Sequence, residues 1–158
     1  MSIKNSSLLA MLLLVSMLSA CTNRPSTEGD PKRRLNDYIS RTFNLKGIED
    51  RAVLMTYLTG SAKSRLAVWS DDQFRQAFLE TKREFVKLVF NETKKSSATE
   101  TNITYELTYI DKSKGSGAKI TNKKLCTLVQ EQGAWFIKDV RNIKELVEYS
   151  EGMEMSLP

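Results

Sequence analysis

Apolar positions recur every three to four residues up to about residue 80 and at every second residue beyond it, which predicts helices first and strands second. Asp30-Pro31 supplies an N-cap residue followed by a proline at the first helical position. Leu35, Tyr38, Ile39 and Phe43 then form one apolar stripe. A second helical stretch covers 48–58, with Val53, Leu54, Tyr57 and Leu58 on one side and Ile48, Ala52 and Met55 beside them. Gly60-Ser61 breaks it, and Ser61 is placed to cap a continuation through Leu66 and Trp69. Ser70 and Gln73 fit the S-x-x-Q capping box of a further short helix carrying Phe74, Ala77 and Phe78. All these aromatic residues read as core packing.

From Lys82 the period is two. Phe85 to Phe90 reads as a largely buried strand. Ile103, Tyr105, Leu107 and Tyr109 alternate with Asn102, Thr104, Glu106 and Thr108, the pattern of a half-buried strand. Gly115-Ser116-Gly117 turns the chain, 120–130 returns, and Gln132-Gly133 turns it again into 134–140. Asn142 or Ile143 opens a short closing helix to Tyr149, and 150–158 reads as a tail. Helices followed by four hairpin-linked antiparallel strands make an α+β domain over 31–149, the N-terminal helices packed on one face of the sheet. No fixed-period repeat is visible.

The first residues follow a different pattern. Lys4 is the sole charge before an eleven-residue apolar run, Leu8–Leu18. That is the n-region and h-region of a secretory signal, and it is shorter than the roughly 20 residues a spanning helix needs. Leu18-Ser19-Ala20-Cys21 resembles the lipobox of bacterial lipoproteins. The resemblance implies cleavage after residue 20 and a diacylglyceryl group on the Cys21 sulfur, often with a third acyl chain on its amine. Such a protein is anchored to a membrane lipid surface without a transmembrane helix, since two or more chains anchor stably where one does not. The other reading is an ordinary signal peptide with Cys21 incidental. Thr22 stands where an Asp would resemble an inner-membrane retention signal, so the implied address is the outer membrane, facing the periplasm. Residues 21–30 hold the cysteine and a tether, TNRPSTEGD, without bulky apolar side chains; its nine residues span roughly 17 Å on average.

Composition narrows the chemistry. The full chain carries a formal charge of +5, from 24 Lys+Arg and 19 Asp+Glu, too mild to predict a nucleic-acid partner. It contains no histidine, which excludes a Ser-His-Asp triad, a Cys-His pair and His-ligated metal. Beyond Cys21 the one thiol is Cys126, in the apolar run Leu125-Cys126-Thr127-Leu128-Val129, where it reads as a small core residue. Phosphate loops, nucleophile elbows, calcium loops and paired metal cysteines are missing, so no cofactor or metal is expected.

The last alternating segment, Gly133-Ala134-Trp135-Phe136-Ile137-Lys138-Asp139-Val140-Arg141, together with helices preceding long hairpins, resembles the NTF2-like (cystatin-like) superfamily. Small bacterial lipoproteins of unknown function with such a domain look most similar. The resemblance implies a curved four-stranded sheet wrapped on a long helix as an NTF2-like cone. In some members that cone is a ligand or catalytic site. Members similar to ketosteroid isomerases use an Asp base with Tyr and protonated Asp donors. Asp37, Tyr38, Tyr57, Tyr105, Tyr109 and Asp139 are the residues of this chain available to line a cone, and no spacing pairs an acid with a base among them.

One stretch suggests surface contact. Lys112, Lys114, Lys119, Lys123 and Lys124 surround the 115–117 turn with a single acid, Asp111. Near an anionic membrane each lysine adds about 1 kcal/mol of attraction; the alternative is that they blunt an exposed hairpin. The expectation is a non-catalytic binding or scaffolding module of the bacterial cell envelope, contacting membrane lipid through Cys21 and another envelope protein, a lipid or a small apolar ligand through its fold. The alternative is a cone-pocket small-molecule carrier or isomerase-like enzyme.

Overall fold

The computed structural model describes residues 29–113 and 117–149. The leader, Cys21, Lys114 and the tail from Ser150 lie outside the described residues. Four helices precede four strands: α1 (Pro31–Thr42), α2 (Asp50–Met55), α3 (Gly60–Ala67), α4 (Asp71–Phe74), then β1 (Arg83–Lys95), β2 (Glu100–Asp111), β3 (Ala118–Glu131) and β4 (Ala134–Tyr149). A π-type turn, Arg75–Leu79, continues α4. The strands form one antiparallel sheet in the order β1-β2-β3-β4, and the fold is α+β.

The helix starts follow local chemistry. The Asp30 carboxylate accepts from the Lys32 N–H at 2.9 Å, satisfying one of the orphan donors ahead of Pro31 at N1. Ser70 and Gln73 form a reciprocal capping box, with Ser70 N–H donating to Gln73 Oε1 and Gln73 N–H to Ser70 Oγ. Ser61 does not cap. α3 begins one residue earlier, at Gly60, whose φ of +51° favours glycine. The Ser61 hydroxyl instead donates to the Lys138 carbonyl at 2.9 Å, tying the helix to β4.

Leu35, Ile39, Leu54, Leu58 and Phe74 from the helical half meet Ile103, Tyr105, Cys126, Leu128 and Ile137 from the sheet in one buried cluster. Leu58 joins the sheet itself. It forms a parallel bridge to Ile137, whose N–H donates to the Tyr57 carbonyl while its carbonyl accepts from Thr59 N–H, both at 2.9 Å. β2 shows the expected alternation, with Ile103, Tyr105, Leu107 and Tyr109 all buried. The β3–β4 turn is a two-residue loop with positive φ at both Gln132 (50°) and Gly133 (86°), matching the strand twist.

Two further expectations are corrected. β1 is longer than Phe85–Phe90 and is not largely buried: Phe85 and Val86 are 49% and 48% exposed, because among the described residues β1 is an edge strand paired only with β2. The closing helix from Asn142 or Ile143 does not form. Instead β4 runs unbroken to Tyr149, pairing Val147 with Ile120 and Tyr149 with Ala118. Lys, Glu and Leu at helical spacing suit a helix, but Ala118, Ile120 and Asn122 of β3 are buried. Their backbone groups need a strand beside them. Tertiary pairing overrides local propensity here.

Candidate functional site

The lysines around the β2–β3 hairpin are dispersed. Lys112 pairs with Glu84 at 2.7 Å, and Lys119 with Glu148 at 3.1 Å. Lys123 stands opposite Glu106 and Lys144. Lys124 lies beside Tyr105 on the core face and is half-buried. Burial, reinforced by the Arg83 charge, pushes the Lys124 ammonium below its ordinary pKa, while Glu145 opposes the shift. The four described lysines therefore share no single exposed face.

Of the acidic and tyrosyl residues, Asp37 is half-buried on α1, Tyr105 lies in the core with Tyr38 packed against it, and Tyr57, Tyr109 and Asp139 have charged partners. Burial pushes the Tyr38 phenol up to about 12, with a smaller push from Cys126. Burial raises Tyr105 and Cys126 in the same way. Tyr57 carries the Arg34 guanidinium over its ring at 4.2 Å and tilts against Tyr38. Asp139 is bound by Arg65 at 2.7 Å and Arg141 at 3.2 Å. Burial would raise its carboxyl, but hydrogen bonds from Arg65 and Ser61 and the two arginine charges outweigh that and hold it low. A low, paired carboxylate is a poor general base at neutral pH. Among the described residues no group of three or more His, Cys, Asp or Glu side chains is placed to hold a metal ion.

Sequence reasoning missed the cleft between α1 and β1. It encloses about 450 Å³, is half-open, and is lined by Asn36, Ile39, Ser40, Phe43, Arg83 and Phe85, with Asn44, Glu84 and Leu88 completing it. Helical spacing on α1 puts Asn36, Ser40 and Phe43 along one side. The Phe43 ring meets Phe85 edge-on at 5.6 Å and Tyr109 at 6.2 Å, so rings from the end of α1, β1 and β2 pack together, and Phe43 and Phe85 form the aromatic floor of the cleft. Arg83 sits over the Tyr109 ring at 5.4 Å and makes no ion pair with any described residue. Glu84 is committed to Lys112, and that hydrogen bond and charge hold its carboxyl below the usual range. Phe43 and Phe85 were each legible as apolar positions; nothing in their spacing says that they meet. A second, smaller cavity of about 140 Å³ lies among Tyr38, Leu58, Ala62, Leu66, Trp69 and Val140.

No protein-family profile matches the chain, and no curated protein matches it. Among solved structures, the chain is similar to a SEC-C motif containing protein from Rhodopseudomonas palustris, determined in solution. The TM-score is 0.53 at 11% identity, covering 74% of this chain and 81% of that one. At this identity the likeness concerns the fold alone.

Proposed function

We propose that this is a lipid-anchored protein of the bacterial cell envelope whose folded part is a binding module and not a catalyst. The anchor rests on Leu18-Ser19-Ala20-Cys21 after the apolar run, with the short tether holding the domain near an outer-membrane surface. The observation that carries the binding reading is the 450 Å³ cleft, which falls within the 300–1,000 Å³ typical of small-molecule sites and combines aromatic walls with a few polar groups. Its one acid is already paired, so it offers contacts and no poised proton.

The cleft also favours the carrier form of the alternative reading over the scaffold form, because a filled fold would have offered no such space. An NTF2-like cone remains the finer architectural proposal. It draws support from strand irregularities at Phe85/Lys87, Phe90/Glu92 and Lys123/Lys124, which are the devices that bend sheets. Metabolic labelling with palmitate in a Gram-negative host tests the anchor. Label is expected on wild type and absent from Cys21→Ser, which should leave the membrane fraction. An unlabelled wild type, together with a membrane-bound variant, sinks the proposal.

A further inference from the structure

Resting on the reading of the domain as a binding module, we infer that the α1–β1 cleft takes a free long-chain carboxylate, with its tail on Phe43, Phe85 and Leu88 and its head at Arg83. Phe85 presents an aromatic ring that is half exposed although it faces Phe43 across the cleft, so an apolar tail laid there removes existing apolar surface from water. Ile39 and Leu88 extend the same wall. Arg83 is the one cation in the lining among the described residues, and its planar guanidinium matches a carboxylate through two parallel hydrogen bonds.

The charge pattern selects a single negative charge. Glu84 neighbours Arg83, and although Lys112 satisfies it, its carboxylate repels a second negative charge on the ligand. A cationic head meets Arg83 with like charge and finds Glu84 already taken. An extended peptide is disfavoured by the edge of β1 itself. Two register shifts interrupt it, and Lys87, Lys94 and Lys95 punctuate it, features that obstruct strand addition. The remaining lining groups, Asn36, Ser40 and Asn44, are uncharged and exposed on and just after α1. An acyl chain with one carboxylate fits the apolar floor, the lone cation and the half-open shape together.

The test uses the full-length chain made by cell-free synthesis, so that no acyl group is attached. Its probes are dodecanoate, dodecyltrimethylammonium and dodecanol, each below the concentration at which it aggregates, with binding read by equilibrium dialysis. Dodecanoate is expected to bind one to one and about tenfold more tightly than either other probe. Arg83→Gln, at an exposed position, is expected to cost about tenfold for dodecanoate and nothing for dodecanol, since a charged hydrogen-bonded pair is lost from a partly solvated site. Ser40→Trp fills the cleft from an exposed helical position and should abolish binding of all three; Asn36→Trp serves if that variant does not fold by circular dichroism. Equal affinity for the three probes, or an unchanged affinity in Arg83→Gln, overturns the carboxylate inference and leaves the binding reading standing. No binding by any probe, or binding that survives the cleft-filling variant and so belongs to the apolar leader, overturns both.

Discussion

Leu58 lies beside Ile137 in a parallel bridge whose two 2.9 Å backbone hydrogen bonds stitch the helical half of the chain to the start of β4. Both side chains are buried in the common core. The bridge covers the edge of β4 at that point, leaving the later residues of the strand as the open edge. Gly60 follows immediately with φ +51°, and a Cβ there would stand 3.1 Å from Lys138 Cγ. Leu58→Ala is expected to cost about 2–5 kcal/mol through cavity formation. Gly60→Ala should cost about 1 kcal/mol or more because the backbone sits in the left-handed region. Urea denaturation measures both. A Gly60→Ala variant as stable as wild type would show that the start of α3 does not depend on this conformation.

Asp139 anchors the same junction through Arg65, Arg141 and the Ser61 hydroxyl. Burial acts to raise its carboxyl, but those partners lower it overall, so the folded pKa lies below the unfolded value of about 3.9. In that case the folded state binds fewer protons than the unfolded chain in the window below about pH 4. The stabilisation is present above the unfolded pKa and is lost as pH falls through the folded one. Because Arg65 is largely exposed, the contribution is at most about 1 kcal/mol. Asp139→Asn should lower stability at pH 7 by that order and flatten the acid limb of the curve. A parallel loss of stability in both proteins from pH 5 to pH 2 would argue against the assignment.

At the alkaline end the sign reverses. Burial raises Cys126, Tyr105 and Tyr38, the last to about 12, while the unfolded groups ionise near 8.5 for cysteine and 10 for tyrosine. Above each unfolded value the unfolded chain has released a proton that the folded chain retains. Stability therefore falls by about 1.4 kcal/mol per pH unit for each such group until its folded pKa is reached. Cys126→Ala should remove the part of the slope that begins near pH 8.5 and leave the tyrosine part beginning near 10. Urea midpoints between pH 7 and 11 read this directly. An unaltered slope between pH 8.5 and 10 would mean that the thiol is not buried in the folded protein.

How much of this was legible depended on whether the deciding contact was local. The Asp30 cap, the Ser70–Gln73 box, the alternation along β2 and the two-residue turn at Gln132-Gly133 are set by neighbours within a few positions, and their sequence signals match the structure. Ser61 looked like a cap because the β4 carbonyl that claims it is 77 residues away. Phe85 and Val86 looked buried because an apolar run does not reveal that its strand lies at an edge. The α1–β1 cleft was invisible for the same reason. Its walls come from segments about forty residues apart, and only the packed fold sets Phe43 against Phe85.

The end of β4 gives the sharpest contrast between local and tertiary reading. As a helix, 143–149 would turn Ile143, Leu146 and Val147 toward one apolar face. As a strand, it sends Val147 to the core side opposite Ile120, while Leu146 stands opposite Thr121 on the other face and is 50% exposed. Val147→Asp should then cost about 1–3 kcal/mol by placing a carboxylate against the core, whereas Leu146→Asp should stay within about 0.5 kcal/mol of wild type. The helical arrangement predicts a comparable loss for both. Chemical denaturation of the two variants separates the cases, and equal destabilisation would return the segment to a helix and uncover the far end of β3.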